Sequence, residues 1–125
     1  MSITEDYVSF EVAKLLKDKG FDECPLFRYD DCGQLWVKGG YNKTLKWHFP
    51  APTLQMALKW LRIKHNIGIF PSTYCLLKDG KLTHPYGTCI TDLVTYEIIV
   101  DDCLPAETYE EAIENALIYC LKNLI

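Results

Sequence analysis

The sequence lacks any apolar run long enough to cross a membrane as a helix. A bilayer-spanning helix needs about 20 consecutive apolar residues, and polar or charged residues interrupt every apolar stretch of this 125-residue chain. The first residues, 1–6, contain neither the basic nor the apolar region of a signal peptide. We therefore expect no membrane partner and a cytoplasmic location.

Closely spaced pairs of cysteines are also missing from the sequence. The six cysteines are widely and irregularly spaced, with no CxxC pair to preorganise a zinc site. They are Cys24, Cys32, Cys75, Cys89, Cys103 and Cys120. With no sign of secretion, this spacing favours reduced thiols, and disulfides are the alternative. We expect no metal and no cofactor.

The composition is that of a folded domain. Apolar residues make up 49% of the chain and charged residues 24%, which excludes a disordered protein. A chain of this length predicts a single domain over residues 1–125.

Helical periodicity and capping residues predict three helices. The first covers residues 10–19, with Ser9 as N-cap and Gly20 as its left-handed terminus. The second covers residues 54–65 after Thr53. The third begins at the capping box of residues 108–111 and continues almost to Ile125.

Short β-rich runs between the helices predict strands. They cover residues 26–29, 34–37, 67–70, 74–78 and 93–100. Turns are expected at residues 30–33 and at Asp79-Gly80, and an irregular loop at 39–52. Whether residues 82–90 complete the second hairpin stays open, because Pro85 and Gly87 weaken a strand there. The predicted fold class is α+β, with three helices packed on a mostly antiparallel sheet of about four to six strands.

The second helix carries two apolar stripes. One consists of Leu54, Ala57, Leu58 and Leu61, and the other of Met56, Trp60 and Ile63. A helix with two apolar faces is buried between layers or shared with a partner. We interpret it as a central element.

Three stretches of the chain have a recognisable pattern: EDYVSFE with AKLL in residues 5–16, APTLQMALKWLR in residues 51–62, and YEEA from residue 109 to the end. Together they resemble a family of small uncharacterised proteins of phages, prophages and conjugative elements of gut anaerobes. Ile63 stands where members of that family often carry an acid, and residues 68–90 show no clear likeness. The resemblance implies a mobile-element accessory protein in a bacterial cytoplasm, and it transfers no catalytic residue.

Charge is distributed unevenly along the chain. Residues 32–78 contain seven basic residues and no acidic one, whereas residues 1–31 have a net charge of −4 and residues 79–125 of −7. Basic and aromatic residues alternate in residues 38–65, which we call the basic aromatic segment. We expect this segment to be covered by acidic protein, either the ends of its own chain or another copy.

Two functions compete for the basic aromatic segment. The leading hypothesis is a non-catalytic interaction protein that self-associates or binds another protein. The alternative is binding of single-stranded nucleic acid, with lysines along the phosphates and aromatic rings on the bases. The candidate surface consists of Lys43, Lys46, Trp47, His48, Lys59, Trp60, Arg62, Ile63 and Lys64.

An enzyme is the third and weakest hypothesis. Cys89 with His84 could supply a thiolate and its base, but no third residue that orients them is identifiable. Asp101 and Asp102 are expected to form a polar turn rather than a metal site. We therefore assign no catalytic residue.

Overall fold

The computed structural model describes residues 6–37, 39–73, 76–78, 81–83, 86–101 and 105–125, which form an α+β fold. The helices in this part of the chain are α1 (Phe10–Asp18), α2 (Leu54–His65) and α3 (Tyr109–Asn123). The strands are β1 (Arg28–Tyr29), β2 (Leu35–Trp36), β3 (Phe49–Pro50), β4 (Ile67–Thr73), β5 (Leu76–Lys78), β6 (Lys81–Thr83), β7 (Tyr86–Asp92) and β8 (Ile98–Val100).

Each helix begins where the sequence predicts. A hydroxyl at the N-cap accepts a hydrogen bond from a backbone N–H group of the first turn, which has no partner within the helix. The hydroxyl oxygens of Ser9, Thr53 and Thr108 accept from the backbone nitrogens of Val12, Met56 and Glu111 at 3.3, 3.1 and 3.2 Å.

The end of α1 confirms the role predicted for Gly20. Gly20 has a φ of +83°, its N–H donates to the carbonyl of Lys17, and the N–H of Phe21 donates to the carbonyl of Leu16. These two bonds form a Schellman motif, which requires a left-handed residue after the helix. Phe21 and Leu16 are both buried in the hydrophobic core.

All the described strand pairs are antiparallel, but they form three sheets rather than the single sheet expected. The strand orders are β2-β1-β3, β4-β7-β8 and β5-β6. The turn predicted at Asp79-Gly80 lies outside the described residues, and β5 and β6 pair on either side of it.

The expectation of an irregular loop over residues 39–52 is wrong at its end. Phe49 and Pro50 form β3, opposite Tyr29 and Arg28 of β1. Proline lacks the N–H group of a central strand, but β3 lies at the edge of its sheet, where this loss is tolerated.

The expectation of one strand over residues 93–100 is also wrong. Residues 86–92 form β7, residues 93–97 form a turn, and only residues 98–100 form a strand. The Asp92 carboxylate accepts from the backbone nitrogens of Val94 and Thr95 at 2.8 and 3.2 Å, which fixes the turn. This stretch is rich in residues that favour strands, so its composition did not indicate the turn.

A β-bulge interrupts the edge strand β8. Val100 pairs with Ile90 and Ile98 with Thr91, so Ile99 has no residue opposite it on β7. A bulge of this kind bends and twists the strand that contains it.

The three helices share one hydrophobic core with β4 and β7. α3 buries one face, which includes Ile113 and Leu117, and α1 buries Val12 and Leu16. The first stripe of α2, with Leu58 and Leu61, is buried as well. The second stripe is divided, because Trp60 is buried whereas Met56 and Ile63 are exposed. α2 is therefore not enclosed between layers on both of its apolar faces.

Candidate functional site

The outward face of α2 contains a cavity of about 360 Å³, which we call the α2 pocket. Its residues follow the helical repeat on one side of α2, joined by one residue from the segment after α1. They are Glu23, Met56, Lys59, Trp60, Ile63 and Lys64. Met56 is 41% exposed and Ile63 63% exposed, so apolar side chains flank the pocket.

Trp60 is the buried aromatic residue of the pocket. Its ring lies 5.4 Å from that of Phe21 and 4.8 Å from that of His65, centroid to centroid. Its indole Nε1–H donates to Oδ1 of Asp22 at 3.3 Å. These contacts fix the ring, so the pocket wall exists before any partner binds.

Asp22 links two residues of the α2 pocket, Trp60 and Lys64. Its second carboxylate oxygen lies 3.7 Å from Nζ of Lys64. The hydrogen bond from Trp60 lowers the pKa of Asp22, and the charges of Lys64 and Lys43 lower it further. The carboxylate therefore stays ionised at neutral pH and orients Trp60 and Lys64 together.

A lysine of α1 holds the loop of residues 42–48. Nζ of Lys17 donates to the carbonyl oxygens of Leu45 at 2.6 Å, of Lys46 at 3.2 Å and of His48. Burial lowers the pKa of Lys17. Three carbonyls around one ammonium group compensate for this loss of water. Lys46 and Trp47 remain exposed on this loop.

His48, which the sequence placed on the interaction surface, is buried. Its Nδ1 accepts from the backbone N–H of Asn42 at 3.0 Å, so the imidazole braces the loop from within. Burial lowers the pKa of His48, and the nearby charges of Arg28 and Lys17 add to this effect. His48 cannot contact a partner directly while the loop is intact.

The predicted surface divides into two patches. The α2 pocket contains Lys59, Trp60, Ile63 and Lys64, and Arg62 is exposed on the same helix. The loop exposes Lys43, Lys46 and Trp47. The charge of Lys43 lowers the pKa of Asp22, so the loop and the pocket interact electrostatically.

Within the described structure, the acidic ends of the chain cover the basic residues only in part, because Asp22 pairs with Lys64. The ion pairs found among the described residues are Lys64 with Asp22 and Lys122 with Glu11. Lys59 and Arg62 are exposed and belong to neither pair. Any acidic surface that covers them must come from outside these residues.

Sequence reasoning missed some of the residues that shape this site. Met56 was assigned to the second apolar stripe but not to the surface, although its spacing from Lys59, Trp60 and Ile63 placed it there. Asp22 and Lys17 carry no motif, because their roles depend on chain segments that meet only in the fold.

The described residues contain no assembled catalytic site built on a cysteine or on the aspartate pair. Cys24 and Cys32 are exposed thiols, and Cys89 is half-buried with its sulfur 3.7 Å from Oγ1 of Thr91. His84, proposed as a base for Cys89, lies outside the described residues, as do Cys75, Asp102 and Cys103.

The turn between β1 and β2 brings possible metal-ligating atoms of Asp30, Asp31 and Cys32 within 4.8 Å of one another. The Asp30 carboxylate already accepts from the backbone nitrogens of Cys32 and Gln34 and from Nε1 of Trp36. These bonds explain the cluster as a turn.

Comparison with protein-family models, curated proteins and solved structures finds no match to this chain. In the described part of the chain, no helix has both the length and the apolar character needed to span a bilayer.

Proposed function

We propose that this protein is a non-catalytic interaction protein that binds an acidic, partly apolar protein surface through the α2 pocket. The observation that carries the proposal is the exposure of Met56 and Ile63 around the fixed ring of Trp60. Apolar side chains that line a preformed cavity on a helix favour a docking surface.

The charges around the pocket support an acidic partner. Lys59 lines the pocket without an ion pair among the described residues, and Arg62 is exposed one helical turn along. Carboxylates of a partner would speed association and fix its orientation.

The setting of this function is part of the same proposal. We carry the bacterial cytoplasm and a mobile-element accessory role forward from the family resemblance. The proposal requires no catalytic residue, cofactor, metal or membrane.

Single-stranded nucleic acid is the second candidate, because Trp47 is 53% exposed next to Lys46. Other rings of the basic aromatic segment weaken it: His48 and Trp60 are buried and offer no free face for bases.

The three tryptophans of the chain can report on these alternatives separately. Trp60 reports on the α2 pocket, Trp47 on the loop, and Trp36, bonded to Asp30, on a distant turn. We expect a short peptide of glutamate and isoleucine with a central tyrosine to shift the NMR signal of the Trp60 indole N–H and leave that of Trp36 unchanged.

Ile63→Ser should weaken this binding. Loss of one buried isoleucine contact removes about 1.5–3 kcal/mol, so the dissociation constant should rise roughly tenfold or more. Val37→Ser is the matched control, because Val37 is 61% exposed and outside the pocket. A Trp60 signal that the peptide does not move contradicts the proposal. A salt-sensitive shift of Trp47 with oligothymidine would favour nucleic acid instead.

A further inference from the structure

The hairpin between β7 and β8 presents an exposed apolar surface that the fold itself does not use. Val94 is 67% exposed, Tyr96 81% and Ile98 60%, and Glu97 beside them is exposed. We call these four residues the hairpin tip. The Asp92 N–H donates to the carbonyl of Glu97 at 2.9 Å, so the tip is held in a defined shape.

Tyr96 adopts a costly backbone conformation at the tip. Its φ is +62°, in the left-handed region that bulky side chains rarely occupy. The ring gains no ring contact with the described residues in return. A strained residue with an exposed ring suggests a role in a contact with another molecule.

The hairpin tip and the α2 pocket lie close together on the molecule. The N–H of Leu93 donates to the carbonyl of Asn66 at 2.8 Å, and Asn66 is the residue that ends α2. Ile63 and Lys64 of the pocket are in the last turn before it. Because Tyr96 remains exposed, the tip does not fill the pocket of its own chain.

The two surfaces have complementary chemistry. The pocket combines apolar Met56 and Ile63 with two lysines, Lys59 and Lys64, and one acid, Glu23, whereas the tip combines apolar residues with Glu97. No lysine or arginine occurs between Lys81 and Lys122, so the sequence around the tip is uniformly acidic. Each surface therefore offers the charge that the other needs.

We propose that the α2 pocket binds the hairpin tip of a second copy of this chain, and this inference rests on the proposed function. Two adjacent complementary surfaces can form a two-fold symmetric dimer, in which each copy inserts its tip into the pocket of the other. The central contacts would be Tyr96 against Met56 and Ile63, and Glu97 with Lys59.

A charge exchange between Lys59 and Glu97 tests the proposal by sedimentation velocity. We expect the wild type to form dimers, and Lys59→Glu and Glu97→Lys each to shift the chain toward the monomer, raising the dissociation constant about tenfold or more. An equal mixture of the two variants should dimerise again, because both contacts then pair opposite charges. The double variant should also dimerise.

Two controls separate this effect from general charge and from misfolding. Lys14→Glu and Glu107→Lys reverse exposed charges outside both surfaces and should leave the dimer unchanged. Circular dichroism should show native helix content for every variant, because the side chains of Lys59 and Glu97 make no hydrogen bond or ion pair among the described residues.

Tyr96→Gly provides a second test in which folding and association change in opposite directions. Glycine removes the backbone strain, so the thermal midpoint of the monomer should hold or rise. Loss of the ring should weaken the dimer about tenfold. A variant that dimerises as well as the wild type would contradict the role of Tyr96.

The remaining outcomes distinguish the dimer from the proposed function. A monomeric wild type whose Trp60 signal still responds to the acidic peptide overturns the dimer and leaves the α2 pocket as a site for another protein. A dimer that both single variants retain, or that their mixture fails to restore, uses a different face and also overturns the inference. A monomer without any Trp60 response overturns both proposals.

Discussion

His48 holds the loop of residues 42–48 only while its imidazole is neutral. Its Nδ1 accepts from the N–H of Asn42, and a protonated Nδ1 would become a donor that faces a donor. Burial and the charges of Arg28 and Lys17 lower the pKa of His48, so the folded state favours the neutral ring. A basic, aromatic residue of the charged segment is thus a structural brace.

The free energy of unfolding should therefore fall in mild acid. The contribution of His48 is present above its ordinary pKa of about 6.5 and is lost as the pH falls toward the lowered folded value. Thermal midpoints measured between about pH 7.5 and pH 5 should decrease more for the wild type than for His48→Gln. Burial raises the pKa of Glu114, whose effect has the opposite sign, but it is present in both proteins and cancels in the comparison. Equal pH dependence in the two proteins would contradict this role.

The sequence predicted the helices far more accurately than the strands. Their signals are local: a capping hydroxyl such as Thr108, a terminal glycine such as Gly20, and an apolar repeat. A strand needs a partner that is distant in sequence. Pro50 pairs with Arg28, and no local pattern of residues 39–52 indicates that pairing.

Contacts between elements also add to a local signal, as at the start of α1. The Ser9 N–H donates to Oε1 of Glu114 on α3 at 2.7 Å, and the Ser9 hydroxyl donates to Oε2 at 3.1 Å. Glu114 therefore caps a helix 105 residues away in sequence. The apolar stripe of α3 predicts burial around Glu114 but not this partner.

Glu114→Ala should lower the free energy of unfolding by about 1–3 kcal/mol, because it leaves the half-buried Ser9 N–H without its acceptor. Glu107→Ala is the control, since Glu107 is exposed before α3, and its effect should stay within about 0.5 kcal/mol. Urea denaturation of both variants measures the difference. Equal stabilities would show that water replaces the carboxylate.

At the scale of the whole molecule, the sequence predicted the fold class and one part of the candidate site. The uneven charge drew attention to residues 38–65, and α2 does expose Lys59, Arg62 and Ile63. Sums of charge along the chain contain no distances, however. They could not show that Lys17, from an acidic segment, organises the basic loop.

The three helices share one hydrophobic core and should therefore unfold together. Leu117 is fully buried on α3, which contacts α1, α2, β4 and β7. Leu117→Ala should cost about 2–5 kcal/mol of the free energy of unfolding. Leu26→Ala, at a side chain 81% exposed, should change it by less than about 0.5 kcal/mol. Separate melting transitions for helices and sheets would contradict a shared core.

The bulge at Ile99 makes the edge strand β8 a poor template for the addition of further chains. An unbroken exposed edge strand is a template on which further chains add without end, as in amyloid fibrils. In β8 the run of pairing groups is interrupted after a single residue pair. Deletion of Ile99 would restore a regular ladder at β8, so concentrated solutions of this variant should bind more thioflavin than those of the wild type.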